Sequence, residues 1–214
     1  MTNLYIIYWK GKKMELIDKT ALFKISYGLY VLTTNDGKKD NGMICNTVMQ
    51  VTSEPLTVAV GINKANYSCE TVLKTKKMNV VTLTEKCDFS IFERFGFASG
   101  KEKDKFENLK YWKSQNGLPV LVDIVNSFIS LEVKESIDLE THYLFICQVT
   151  EAKSISDDNS MTYDYYHKYV KRKTDTTKKG YVCTICGYIY EGEPLPEDFI
   201  CPICKYPASA FVKL

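Results

Sequence analysis

These 214 residues lack two features that would direct a chain to a nucleic acid or to a membrane. Charge of one sign is not in excess, because 28 lysines and arginines stand against 26 aspartates and glutamates. So balanced a charge gives no overall attraction to nucleic acid or to an anionic membrane. Long apolar runs are missing too, since LYIIYW at residues 4–9 is far shorter than the ~18–20 residues that span a bilayer. We therefore expect a cytoplasmic protein with neither nucleic acid nor membrane as its partner.

The usual nucleotide-binding loops are also missing. None of the 11 glycines forms a G-x-G-x-x-G fingerprint or a G-x-x-x-x-G-K-[ST] phosphate loop. Any nucleotide cofactor must therefore be held in another way.

A secretory signal is missing, and this changes how the eight cysteines are interpreted. Without a signal, a disulfide framework is disfavoured and reduced thiols are expected. Four of them, Cys45, Cys69, Cys87 and Cys147, stand singly among apolar residues, which is typical of buried, unreactive thiols.

The other four cysteines form two C-x2-C pairs near the end of the chain. They are Cys183 with Cys186 and Cys201 with Cys204. Two such pairs can place four thiolates around one tetrahedral metal ion, and a unit of this size needs the ion in order to fold. The spacing alone suits structural zinc as well as iron, and on spacing zinc is the safer choice. Aromatic residues surround the pairs and would shield a redox centre: Tyr181, Tyr188, Tyr190, Phe199 and Phe211.

Most of the remaining chain alternates as strands do. In SFISLEVKE, residues 127–135, apolar Ile129, Leu131 and Val133 alternate with polar residues, the period of a half-buried strand. Further strands are predicted at 27–34, 43–52, 56–62, 79–85 and 142–153, and helices at 15–27, 67–77 and 91–97. Gaps between the strands are mostly too short for parallel crossovers. The expected fold is therefore mainly β, an antiparallel barrel with a few helices and a small metal-knuckle domain.

Two polar clusters flank the strand at 56–62. Asn46 to Ser53 and Asn63 to Ser68 offer uncharged amide and hydroxyl groups, which suit the carbonyls and ring nitrogens of a flavin, and Lys64 offers a charge for a phosphate. Such residues are also common turn formers, so the clusters alone do not decide between the two interpretations.

The strings YGLYVLTT, NGMICNTVMQVTSEP, NKANYS, RFGFASG and ETHYLF occur in this order. Together they resemble the flavin reductase-like family of FMN-binding split β-barrels over about residues 15–167. The resemblance implies a homodimer with FMN near the subunit interface and NAD(P)H as the donor. It places His142 on the nicotinamide side as the candidate catalytic residue. The residues that it implies for FMN are Asn46, Thr47, Gln50, Thr52, Ser53, Asn63, Lys64, Asn66 and Ser68.

The strings CTICGY, FICPIC and PASAF resemble rubredoxin, particularly the short version that ends rubrerythrins, over residues 181–214. This resemblance implies iron bound by Cys183, Cys186, Cys201 and Cys204. Lys205 departs from the pattern, because rubredoxins usually carry glycine there.

The whole chain resembles the fusion family of high-molecular-weight rubredoxins. We expect residues 1–13 to be a leader of uncertain role, 14–167 the flavin domain, 168–180 a basic linker and 181–214 the iron domain. The function that this implies is electron transfer from NAD(P)H through FMN and Fe(Cys)4 to a soluble acceptor such as a flavodiiron oxygen or nitric oxide reductase. Two alternatives stay open. One is a flavin reductase with a structural zinc ribbon, and the other is a nucleic-acid module, which the acidic metal domain disfavours.

Overall fold

The structure, a computed structural model, describes residues 8–9, 12–13, 17, 19–171, 179–185, 187–202 and 206–214. The leader predicted at 1–13 lies mostly outside these ranges. Its described part is a small antiparallel pair, β1 (Tyr8–Trp9) with β2 (Lys12–Lys13).

A seven-stranded antiparallel sheet forms the main body, with a short hairpin, β8 (Tyr111–Lys113) with β9 (Pro119–Leu121), beside it. The seven strands are β3 (Tyr30–Asn35), β4 (Asp40–Cys45), β5 (Val48–Ser53), β6 (Leu56–Asn63), β7 (Lys77–Leu83), β10 (Val125–Leu139) and β11 (His142–Ser154). Their order in the sheet is β4-β3-β7-β10-β11-β6-β5. The predicted antiparallel β fold is confirmed.

The sheet closes on itself because its two outer strands are neighbours in the chain. Only Asn46 and Thr47 separate β4 from β5, although the two strands stand at opposite ends of the strand order. The Sγ atom of Cys45, the last residue of β4, lies 3.8 Å from the carbonyl oxygen of Gly61 in β6. The two edges therefore meet at this point, and the sheet is a barrel that is split elsewhere. The single strand predicted at 43–52 is wrong, because Asn46 and Thr47 divide it into two.

Strand β10 departs from the simple alternation predicted for it. Leu131 and Val133 are buried as expected, but Ser130 is buried as well. The register against β11 shifts between Ser130 and Leu131, and such a bulge lets two successive residues face inward.

Two helices match their predictions and one does not. Helix α1 (Tyr67–Thr75) and helix α2 (Phe89–Gly96) pack against the barrel where they were expected. The α-helix predicted at 15–27 is wrong over its described residues, which form a 3-10 helix at Lys19–Lys24. Leu22 and Ile25 remain 59% and 50% exposed, so these two side chains give a longer helix no buried apolar face.

After the barrel, α3 (Tyr163–Tyr165) continues as a π-helix at Tyr166–Val170. The C-terminal unit is a three-stranded sheet of β12 (Tyr181–Cys183), β13 (Ile189–Tyr190) and β14 (Phe211–Lys213), with β12 in the middle. A 3-10 helix at Ala208–Ala210 precedes β14. Among the described residues, no helix is long and apolar enough to cross a membrane.

Candidate cofactor cleft and metal site

One end of the barrel brings together three of the predicted flavin-site residues. Asn63, the last residue of β6, pairs directly with His142, the first residue of β11. Lys64 follows Asn63, and its amide donates to the carbonyl of Thr141 at 3.0 Å. His142 is exposed, and its Nδ1 lies 2.9 Å from the hydroxyl of Thr141.

Asn46 and Thr47 lie close to this end, at the point where the barrel closes. A Cβ atom at Gly61 would stand 2.8 Å from the methyl carbon of Thr47. A larger residue at this position in β6 would therefore push the methyl group of Thr47 away.

Gln50, Thr52 and Ser53 extend away from that end along β5. Ser53 pairs with Leu56, the first residue of β6, whereas Asn63 is the last. Since β6 has eight residues, at ~3.3 Å per residue its two ends lie about 23 Å apart. The predicted residues thus form a line along the β5 and β6 edge rather than one compact cluster.

The start of helix α1 is built to receive an anion. Asn66 precedes the helix in an extended conformation, and its side chain makes no capping bond within the described residues. The first amides of a helix have no partner inside it and carry the positive end of its dipole. Ser68 in the first turn is buried, and its hydroxyl accepts from the Asn41 amide at 3.0 Å.

A cleft of about 290 Å³ opens beside this helix start. It is lined by Asn66, Tyr67 and Ser68, by Asn41 of β4, and by the segment that follows α2, including Phe97, Ser99 and Gly100. The Asn41 Oδ1 atom is buried and has no hydrogen-bond partner in the described part of the chain. A bound molecule that donates a hydrogen bond would satisfy it.

Lys105 is the buried cation of this cleft, and the sequence did not identify it. Its Nζ donates to the carbonyls of Gly42 at 2.9 Å and Phe95 at 3.2 Å. Burial lowers the pKa of Lys105 to about 8. No carboxylate pairs with this ammonium among the described residues. A buried cation with spare donor capacity fits an anionic group such as a phosphate.

Lys64, the lysine predicted for the phosphate, already has a partner. Its Nζ lies 2.5 Å from Asp138 Oδ1 and 4.8 Å from the centre of the Tyr143 ring. The hydrogen bond with Asp138 raises the pKa of Lys64 above its usual value. A phosphate at Lys64 would therefore compete with Asp138.

Two turns in the C-terminal unit are closed by backbone hydrogen bonds of the same kind. The amide of Cys183 donates to the carbonyl of Tyr188, and the amide of Cys201 donates to that of Tyr206, both at 2.8 Å. In each turn the bond spans five residues and encloses one C-x2-C pair. Gly187 adopts a positive φ of +79°, which favours glycine. Cys186 and Cys204, together with the departure at Lys205, lie outside the described residues.

The thiols of Cys183 and Cys201 are buried, and both residues belong to one apolar cluster with Phe211. The predicted aromatic shell is present. Phe199 lies 4.7 Å from Tyr190 and 5.3 Å from Phe211 between ring centres. A set of soft sulfur donors in a dry aromatic shell suits iron or zinc, and the shell also shields a redox ion from solvent.

The four single cysteines are buried free thiols, as predicted. Burial raises the pKa of Cys87 and of Cys147 to about 12, and that of Cys45 to about 11. Burial also raises the pKa of Cys69. These thiols stay protonated and unreactive at neutral pH.

Comparison with known proteins assigns both parts of the chain. The family model for the flavin reductase like domain matches residues 22–173, and that for the rubrerythrin, rubredoxin-like domain matches residues 181–212. The chain is 36% identical to a high molecular weight rubredoxin of Moorella thermoacetica, over 92% of this chain and 100% of that protein. It is 33% identical to a ferric-chelate reductase (NAD(P)H) of Archaeoglobus fulgidus, over 77% of this chain and 98% of that protein. The solved flavin reductase PheA2 superposes with a TM-score of 0.57 at 28% identity, over 67% of this chain and 89% of that one.

Proposed function

Because the chain belongs to the flavin reductase-like family and ends in a rubredoxin-like domain, we propose that it passes electrons from NAD(P)H to a soluble acceptor through two cofactors in one chain. It is an NAD(P)H-dependent oxidoreductase whose cofactors are a flavin and iron. The direction of flow, the use of FMN as the flavin, and the acceptor are our proposals.

A bound flavin accepts a hydride and releases single electrons, and iron held by four thiolates carries one electron at a time. The chain's own residues have to hold, orient and shield these groups. We assign the phosphate of FMN to the cleft at the start of α1, near Ser68 and Lys105, with Lys64 at its outer edge. Asn46, Thr47, Gln50, Thr52 and Ser53 on β5 and before it are assigned to the ring and the ribityl chain, and Asn63 and Asn66 to the phosphate end. His142 is assigned to the nicotinamide side of the ring.

One observation gives the main support for this electron relay, in which the flavin passes its electrons on to the iron. The same chain has a cleft with a buried ammonium that no described carboxylate neutralises, and a C-terminal unit whose two C-x2-C pairs each begin at a turn with the same backbone hydrogen bond. A flavin reductase that only releases reduced flavin has no use for a second redox centre. A relay needs one, because donors that give two electrons must be matched to acceptors that take one.

We propose that the working unit is a homodimer in the cytoplasm. Strand β5 ends the sheet of the described residues and exposes Met49 by 64% and Val51 by 50%. An apolar edge strand of this kind is normally covered, and a second copy would cover it beside the proposed ring site. Cys45, Cys69, Cys87 and Cys147 are free thiols, which agrees with a reducing compartment.

The acceptor is proposed to dock on the metal unit. Ile185 and Ile200, each next to a cysteine in the sequence, are 38% and 53% exposed. Exposed apolar side chains next to a redox centre offer a dry contact to a partner. A flavodiiron oxygen or nitric oxide reductase is the acceptor that the resemblance to high-molecular-weight rubredoxins implies.

A second function keeps the reductase and makes the metal structural zinc. The likeness to the ferric-chelate reductase supports it, because that likeness covers 77% of this chain and 98% of that protein. A barrel of this kind can therefore occur as a reductase in its own right. In this alternative the barrel alone would deliver electrons.

The serine variant Cys201→Ser separates the two functions. In the relay, it should still allow NADH to reduce the bound flavin, but it should lose the reduction of a one-electron protein acceptor such as cytochrome c. Cys147→Ser, which changes a buried thiol of the barrel instead, is the matched control and should keep both activities. Unimpaired transfer to the acceptor in Cys201→Ser would contradict the relay and favour the reductase.

A further inference from the structure

Phe97 belongs to two apolar clusters at once. It follows helix α2 directly and packs against the barrel cluster that contains Phe92 and Phe95. It also packs against the cluster of the C-terminal unit that contains Cys183, Cys201 and Phe211. No other residue is common to both clusters in the described part of the chain.

The same residue lines the cleft at the start of α1. Phe97 stands in the wall of that cleft with Ser68 and Lys105. One half-buried phenylalanine therefore contacts the barrel core, the proposed cofactor cleft and the metal unit.

A second contact joins the metal unit to the rest of the chain. Lys171, just after the π-helix that ends at Val170, donates from its Nζ to the carbonyl of Thr184 at 2.7 Å. Thr184 follows Cys183 directly in the chain. The contact is separate from that of Phe97, because Lys171 follows the π-helix whereas Phe97 follows α2.

We propose that Phe97 is a positioning residue that docks the metal unit of a chain against the cofactor cleft of the same chain. The proposal rests on the electron relay proposed above and says how the metal unit is held against the cofactor cleft. Transfer of an electron falls off steeply with distance, so a docked metal unit keeps the length of the path from the bound flavin fixed. A metal unit that only moved on a tether would reach the cleft by repeated collision.

The first test is kinetic, with flavin-saturated and iron-loaded full-length protein. NADH is mixed with the protein anaerobically, and the flavin and iron absorbances are followed separately. Phe97→Ala should slow iron reduction about tenfold relative to flavin reduction, since loss of a buried ring contact of about 1.4 kcal/mol corresponds to that factor. Phe97→Leu keeps an apolar side chain in the same place and should fall between wild type and alanine.

The matched control is Ile44→Ala. Ile44 packs against the same barrel cluster beside α2, but it is not part of the metal-unit cluster. It should leave the ratio of iron to flavin reduction unchanged. An equal slowing in Ile44→Ala and Phe97→Ala would show a general loosening of the barrel and overturn the proposal.

The second test does not depend on electron flow. Hydrogen exchange is measured on peptides that cover 181–185 and 206–214 in the metal unit and 89–100 in the barrel. Phe97→Ala should speed exchange in both sets, whereas Ile44→Ala should affect the barrel set only. Unchanged exchange in the metal unit of Phe97→Ala would refute docking. If wild-type iron is not reduced at all, the relay fails, and the exchange data still decide whether Phe97 docks the unit.

Discussion

Among single residues, Lys105 gives the clearest chemical indication of a phosphate site. Its ammonium is buried, its pKa is lowered to about 8, and its contacts among the described residues are to backbone carbonyls. Below pH about 8 the free protein offers a cation to a phosphate. Above that pH the lysine is neutral, and binding a phosphate must take up a proton, which weakens the affinity.

The affinity for FMN should therefore fall as the pH rises through about 8, while that for riboflavin, which lacks the phosphate, should not. Tyr67, also in the cleft wall, does not titrate there, because its hydrogen bond to Asp36 raises its pKa. Fluorescence titration of both flavins over pH measures the effect. Lys105→Met should remove the difference in pH dependence and weaken FMN about ten- to a hundredfold, the loss of a charge-assisted hydrogen bond. The same pH profile in Lys105→Met as in wild type would contradict the assignment.

Lys64 should contribute less than Lys105 to the affinity for FMN. Replacing Lys64 by alanine should weaken FMN more than riboflavin, but only by a few fold, because exposed charge pairs contribute about 1 kcal/mol or less. Asp138→Asn is the opposite control, since it frees Lys64 from its partner and should slightly strengthen FMN. Equal losses of FMN and riboflavin in Lys64→Ala would remove it from the phosphate site.

The sequence showed the metal ligands more clearly than the flavin site, for a physical reason. Cysteine pairs at C-x2-C spacing work through local geometry, so the motif is visible in the sequence. Lys105 lies in KEKDK at 101–105, which has the appearance of a solvated charged run. Its burial depends on α2 and β4 folding over it, and that is a long-range effect.

At the level of elements, β5 is the part of the barrel that most needs a partner. It is an outer strand of the sheet, and the exposed side chains of Met49 and Val51 give it an apolar surface. Val51→Lys should convert the proposed dimer to monomer, because a charge on such a strand blocks association. Light scattering at several concentrations measures the mass.

Ile155→Lys is the control for that experiment. Ile155 is 44% exposed and lies outside β5, after the end of β11. It should leave the dimer intact. A dimer that survives Val51→Lys would mean that β5 is not the interface.

Most strands of the seven-stranded sheet, and helices α1 and α2, could be predicted from alternation and from turn residues. The closure at Asn46 and Thr47 could not, because nothing local distinguishes two residues inside one strand from two residues between strands. The bulge at Ser130 could not be predicted for a similar reason, since it depends on the register with β11. Long-range pairing decides both features.

At the level of the whole molecule, the predicted basic linker connects the two domains. Residues 172–178 of the linker predicted at 168–180 lie outside the described residues, and Lys171, just before them, contacts the metal unit. A protease site engineered into 172–178 and then cut should slow iron reduction at low protein concentration, because it replaces an intramolecular encounter by a bimolecular one. The rate should then rise with concentration. An unchanged, concentration-independent rate after cleavage would show that the linker does not contribute.

The most direct measurement of the relay is the order of reduction within one turnover. Wild-type protein loaded with FMN and iron is mixed anaerobically with one equivalent of NADH while flavin and iron absorbances are recorded. The relay predicts that the flavin absorbance falls first and that the iron absorbance follows, at a rate independent of protein concentration. Iron that stays oxidised while the flavin is reduced, or that is reduced only as fast as protein molecules collide, would contradict it.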